Sequence, residues 1–206
     1  MITLNGSTQR QFVFPDALAA ATRYYRNFDA IFDLLPHISL VHKYGPNRYR
    51  ALYHTIELGV YRVKIYCDLQ VHFDEAHQTL NVTPLIGPTP VRQFVSVQAL
   101  VAQGQFTSQS VFVARGDETR IDYTLRIAAA LPRPLGLSLV PDAMLNQITH
   151  SIADWRIHEI AGGFIDRSIA AYPAAYPARR ESCPAVLPRP VALAPVDLQI
   201  DHYRSK

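Results

Sequence analysis

The sequence predicts an α+β fold in which a curved antiparallel β-sheet wraps around a long C-terminal helix. Three observations carry this. Apolar residues recur near every 3.6 positions in two short stretches before Pro36, they alternate with a period of 2 from Ser39 to Leu131, and the helical period returns from Pro141 toward Ala170. Each alternating run is apolar on one side only, so the sheet needs a cover. The last helix is the element long enough to provide it.

Phe12, Val13 and Phe14 form a short β-like run. Pro15 and Asp16 then open a helical segment, since Pro is favoured in a first turn. Leu18, Thr22, Tyr25 and Phe28, followed by Ile31, Phe32 and Leu35, keep helical spacing, with a break at residues 27–29 and a stop at Pro36. Two short helices are expected there. The strongest strand signal lies in residues 60–74: Tyr61, Val63, Ile65, Cys67, Leu69, Val71 and Phe73 fall on one face, and Arg62, Lys64, Tyr66, Asp68, Gln70, His72 and Asp74 on the other. Residues 48–58 read as the partner strand, joined through Gly59, so a β-meander is expected.

Residues 75–77 turn into a strand at 78–85, after which Pro84, Gly87, Pro88 and Pro90 interrupt regular structure, because Pro cannot donate to a ladder. Two more strands follow, 98–114 and 119–131, joined around Gly116. The second alternates cleanly, with Ile121, Tyr123, Leu125, Ile127, Ala129 and Leu131 on its apolar face. The first is polar on both faces at its centre, with Gln103, Gln105, Thr107 and Gln109 on one and Gly104, Phe106, Ser108 and Ser110 on the other. It reads either as the wall of a partly wet cavity or as an exposed edge strand.

On the last helix, Met144, Leu145, Ile148, Ile152 and Trp155 share one stripe at about 100° per residue, which is taken as the face the sheet grips. Glu159, Gly162, Gly163 and Asp166 continue that stripe, whereas Ile157, Ile160, Ala161 and Phe164 fall opposite. Either Gly162 and Gly163 leave space beside the sheet and Glu159 sits at a cavity mouth, or the glycine pair breaks the helix and Phe164 packs elsewhere. Residues 1–172 are expected to form a single domain. Residues 173–206, with six of the 15 prolines and no periodicity, are expected to be an extended or disordered tail.

Composition narrows the function classes. With 49% hydrophobic and 18% charged residues the chain is not a disordered polyelectrolyte, and a net charge of +3 spread along the sequence is no nucleic-acid footprint. No run approaches the roughly 20 apolar residues of a membrane helix, and the N-terminus lacks an export signal, so a cytoplasmic protein without integral membrane insertion is expected. The two cysteines, Cys67 and Cys183, cannot build a disulfide scaffold or a four-thiolate site. The eight histidines show no metal-ligand spacing. Nucleophile-elbow, P-loop and dinucleotide motifs are absent, so neither metal nor cofactor is expected. Asp142 and Asp154 do not form a carboxylate pair on the helix.

The run Phe12, Val13, Phe14, Pro15, Asp16, Ala17, Leu18, the segment Leu34, Leu35, Pro36, His37, Ile38, the alternation over 60–73 and the stripe over 144–155 resemble the helix-grip (SRPBCC) superfamily. That superfamily includes START-like lipid-transfer domains, pollen-allergen-like proteins and polyketide cyclases. More narrowly, the sequence looks like a branch found mainly in phototrophs. The resemblance spans residues 9–171 and implies a hydrophobic small molecule, of lipid, isoprenoid or pigment type, held between sheet and C-terminal helix. Strand parity and wheel angle then nominate Tyr53, Ile65, Phe106, Tyr123, Ile148, Ile152, Trp155, Glu159 and Gly162 as lining. A cyclase- or dehydratase-like enzyme moving protons with Tyr53, Tyr123 or Glu159 is the alternative, and a scaffold recruiting partners through Arg179 and Arg180 is a third.

Overall fold

The computed structural model describes residues 2–57, 59–133 and 140–175. In chain order the elements are β1 (Ile2–Phe14), α1 (Leu18–Arg26), α2 (Phe28–Phe32), β2 (Ile38–Gly45), β3 (Arg48–Glu57), β4 (Tyr61–Asp74), β5 (Thr79–Pro84), β6 (Phe94–Val95), β7 (Ala99–Arg115), β8 (Glu118–Leu131) and α3 (Asp142–Ala175). The strands form one eight-stranded sheet in the order β1-β8-β7-β5-β4-β3-β2, with β6 on β7.

The alternation in β4 and β8 places its apolar members inward. Val63, Ile65, Cys67, Leu69 and Val71, and Ile121, Tyr123, Leu125, Ala129 and Leu131, are buried. Three strand expectations change. First, β1 is 13 residues long rather than three, running antiparallel to β8 from Ile2↔Leu131 to Phe14↔Thr119. It ends the sheet and buries only Ile2, Thr8 and Phe14, so its Thr, Asn, Ser and Gln residues carry no apolar alternation. Second, the sheet is not a simple meander. Short β5 fills the space between β4 and β7 only over residues 69–74 of β4, and beyond it β4 and β7 pair directly and in parallel, from Arg62↔Ala99 to Tyr66↔Gln103. Third, β7 is a central strand whose inner face carries Leu100, Ala102, Phe106, Ser110 and Phe112. Its outward glutamines bond neighbouring strands, Gln109 Nε2 donating to Asn81 Oδ1 at 3.1 Å and Gln103 Nε2 to Asp68 Oδ2 at 3.5 Å.

Asp68 lies on the polar face of β4 yet is buried. A buried carboxylate needs partners. Arg50, its register partner on β3, supplies two hydrogen bonds at 2.7 and 2.9 Å, and the Tyr44 hydroxyl donates a third at 2.9 Å. Arg50 also donates to the Thr89 carbonyl at 2.7 Å, tying the proline-rich connection to the sheet.

Helix α3 contradicts the wheel assignment. It is continuous through Gly162, Gly163 and Pro173 to Ala175, so the glycine pair does not break it and the expected tail boundary at 173 falls inside the helix. The rest of that tail, with Cys183, Arg179 and Arg180, lies outside the described residues. The buried face is Leu145, Ala153, Ile157, Ile160, Ala161, Phe164 and Ser168. Leu145 belongs to both, but the centre of that face is rotated by roughly 145° from the expected stripe at about 100° per residue. The large side chains at 144, 148 and 155 dominate the sequence pattern, but it is the small residue Ala153, with Ile157, that lies against Gly6 of β1. At Gly6 of β1, a Cβ would stand 3.5 Å from both the Ala153 carbonyl oxygen and the Ile157 side chain.

The C-terminal half of α3 closes one end of the core. Phe14, Tyr24, Tyr25 and Tyr172 pack edge-on or stacked with centroids 4.6–5.6 Å apart. Tyr25 and Ser168 share a hydroxyl hydrogen bond of 2.9 Å, and the Tyr24 hydroxyl donates to the Ser168 carbonyl at 3.0 Å.

Candidate functional site

Beneath the N-terminal half of α3 lies a cavity of about 300 Å³. Alternation builds its floor: Ala51 and Tyr53 of β3, Val63, Ile65 and Cys67 of β4, Leu100 and Phe106 of β7, and Ile127 and Leu131 of β8 all point the same way. Ile2, Leu4 and Gly6 of β1 form one wall. The helix roofs it with Met144, Leu145, Ile148, Thr149, Ile152, Ala153, Arg156, Ile157 and Ile160. Met144 is 54% and Ile148 43% exposed while lining the cavity, which places an opening along this edge of the helix.

One end is polar. Arg156 projects from α3 between two carboxylates, its Nε and one terminal nitrogen donating to Glu57 at 2.9 and 3.3 Å and the other terminal nitrogen to Glu159 at 2.7 Å. Glu159 also bonds His37 Nε2 at 3.2 Å, and the Tyr53 hydroxyl donates to Glu57 at 3.4 Å. Bidentate Arg–carboxylate geometry is the strong form of this contact. Burial pushes the Tyr53 phenol well above its ordinary value, and the adjacent Glu57 charge raises it further, so it is a donor and not a base at neutral pH. For Glu159, burial acts upward but the bonds from Arg156 and His37 outweigh it, and its carboxyl is held below the usual value. The Cys67 thiol on the cavity floor is pushed up to about 12 by burial and stays neutral.

Of the nine residues nominated from sequence, Tyr53, Ile65, Phe106, Ile148 and Ile152 line this cavity. The other four do not. Tyr123 is buried in the closed end against Phe164, with ring centroids 5.3 Å apart, where burial pushes its phenol far up. Trp155 is 58% exposed and lies over the Arg156 guanidinium at 4.2 Å on the outer side. Glu159 sits behind Arg156 rather than in the lining. A Cβ on Gly162 would meet nothing within 4 Å. Gly162 therefore borders open space outside this lining, whereas Gly104 and Gly163 leave no gap: a Cβ on Gly104 would come 2.7 Å from Ile65, and one on Gly163 would come 2.6 Å from Pro36.

The sequence reading missed Glu57 and Arg156. Their signal was faint: Arg156 and Glu159 have the i,i+3 spacing of a helical ion pair, but the partner that brings Arg156 into the cavity lies 99 residues away on another element. Among the described residues no three of His, Cys, Asp or Glu converge as metal ligands would, and no helix is long and apolar enough to cross a membrane.

No family model matches the chain, and no curated protein matches it by sequence. Among solved structures, a conserved protein from Geobacillus kaustophilus is 12% identical, with 84% of this chain aligned to 97% of that one at a TM-score of 0.47. A START superfamily protein from Mycobacterium smegmatis is 11% identical over 82% of this chain and 98% of its own, at 0.43. The ZhuI aromatase/cyclase of a Streptomyces species is 10% identical over 83% and 93%, at 0.44. By its own sheet order and the placement of its C-terminal helix, the chain has the helix-grip α+β fold that the sequence predicts.

Proposed function

We propose that this protein binds a compact apolar small molecule between the N-terminal half of α3 and the inner face of the sheet. The observation that carries the reading is the 300 Å³ cavity, whose lining is apolar except for Thr149 and the Glu57–Arg156 end and which opens beside Met144 and Ile148. Apolar cavities that water fills poorly bind apolar guests, and one of about 150 Å³ accommodates benzene. Twice that volume suits a bicyclic or a short isoprenoid, and it is small for a sterol or a complete long-chain lipid.

The test combines extraction and blockage. Denaturing mass spectrometry of solvent extracts from purified protein looks for a retained apolar compound, and calorimetry measures uptake of tetralin as a defined bicyclic guest. Ala51→Leu projects three carbons from β3 into the cavity and should weaken tetralin binding at least tenfold while leaving the melting temperature unchanged or higher. Tetralin uptake that is absent in the parent, or unaffected by Ala51→Leu, refutes the reading.

A further inference from the structure

The polar end of the cavity carries information about the guest. Arg156 has five N–H donors, and its three hydrogen bonds to Glu57 and Glu159 engage three of them. The remaining N–H groups belong to a side chain that lines the cavity. Its position is fixed from three sides: Glu57 grips it from β3, Glu159 holds it one helical turn along α3, and the Trp155 ring covers one face of the guanidinium. A fork held this way loses little freedom when it makes one more bond. Acceptor capacity faces the same end in the Tyr53 hydroxyl, which reaches Glu57 at 3.4 Å.

The charge at this end decides what can use those donors. One guanidinium lies between two carboxylates, so in the Arg156, Glu57 and Glu159 cluster anionic charge exceeds cationic charge by one. A guest carboxylate would be the third anion around one cation, losing its hydration in an apolar cavity without a free counter-charge. A neutral oxygen has no such penalty. It can accept an Arg156 N–H, a charge-assisted bond stronger than one between neutral groups.

We infer that the cavity selects amphipathic guests with an apolar body and one neutral oxygen function, a ketone, lactone or alcohol, seated against Arg156, and that it discriminates against free carboxylic acids. This rests on the cavity-binding reading above and specifies the guest's class. It separates oxygenated terpenoid- or polyketide-like molecules from fatty acids, which have the same apolar bulk but an ionised end.

The experiment is calorimetric titration of the full chain at neutral pH with three guests of one skeleton: tetralin, α-tetralone and tetralin carboxylate. α-Tetralone should bind about tenfold tighter than tetralin, as expected for a net hydrogen bond to a charged group, and about tenfold or more tighter than the carboxylate. Arg156→Lys retains a cation for Glu57 but replaces the fork with a point charge. It should bring the ketone-to-tetralin ratio within about twofold of one. The double substitution Glu57→Gln with Arg156→Met removes both charges together, avoiding an unpaired buried ion, and should give the same collapse. Equal affinity of tetralin and α-tetralone in the parent, tightest binding by the carboxylate, or a ratio that survives both variants overturns the inference while the cavity reading stands. Binding of none of the three removes the cavity reading and the inference with it.

Discussion

Replacing each of two adjacent glycines by alanine should move stability in opposite directions. Gly162 and Gly163 both lie inside α3, where Gly is less favourable than Ala by about 0.5–1 kcal/mol because of the backbone freedom it loses. A Cβ at 162 meets nothing within 4 Å, so Gly162→Ala collects that gain and should raise the melting temperature by about 1–4 °C for a chain of this size. A Cβ at 163 would stand 2.6 Å from Pro36 Cγ, closer than packed carbons tolerate. Pro36 is a ring with a fixed φ, not a flexible side-chain end that can swing away. Overpacking typically costs about 1–3 kcal/mol, which set against the helix gain leaves a net loss of up to about 2.5 kcal/mol, so Gly163→Ala should lower the melting temperature by up to about 10 °C. The displacement would also reach the cavity, because His37 follows Pro36 and bonds Glu159. Circular dichroism melts of the two variants decide it. If both move the same way, the close approach of α3 to the Pro36 connection is not as described.

The two halves of α3 should differ in the same way. Phe164→Ala, at a buried position outside the cavity lining, should cost about 3–5 kcal/mol, and Ile148→Ala, 43% exposed at the cavity edge, no more than about 1, measured by urea titration. Similar losses would contradict the division of the helix into a packed half and a roof. Glu57→Gln leaves Arg156 short of a counter-charge and should destabilise by about 1–3 kcal/mol in the same assay; a neutral result would mean the pair is not formed in solution. Glu159 has a carboxyl held below its unfolded value of 4.5, so its stabilisation is present above about that pH and is lost as pH falls through the lower folded value. Glu159→Gln should therefore match the parent's acid limb at low pH and fall below the parent's stability above about pH 5, as urea midpoints from pH 3 to 7 would show.

The parts of the fold legible in the sequence were those with one clear physical cause. β4 and β8 alternate because each separates a core from solvent, and α1 and α2 keep helical spacing because both bury a stripe on the sheet. β1 was cut short because an end strand bonded on one side buries few residues and so carries no pattern. The helix face was misassigned for a different reason. A wheel weights residues by size, yet it is the small Ala153 that lies over Gly6 of β1, and the larger Met144 and Trp155 remain more than half exposed. The Arg50–Asp68 pair was recoverable in principle, since the two are direct partners in the β3–β4 register, whereas Glu57 and Arg156 meet only through the tertiary arrangement.

The division of α3 also bears on how such a cavity persists. At about 24 cal/mol per Å³, a sealed void of 300 Å³ would cost about 7 kcal/mol, comparable with the whole stability of an ordinary domain. Two features reduce that burden. The edge beside Met144 and Ile148 is open, so the space is not a sealed vacuum, and the closed half of the helix keeps its own packing around Ala161, Phe164 and Ser168, none of which lines the cavity. The Glu57–Arg156 pair then acts as a strut. It holds the roof to β3 at the end where apolar contacts run out, and it does so with groups that can still donate inward. A guest that fills the space would stabilise the roofing half selectively. Hydrogen exchange across residues 142–160 should therefore slow when a guest such as tetralin is added, while exchange across residues 161–170 stays nearly constant.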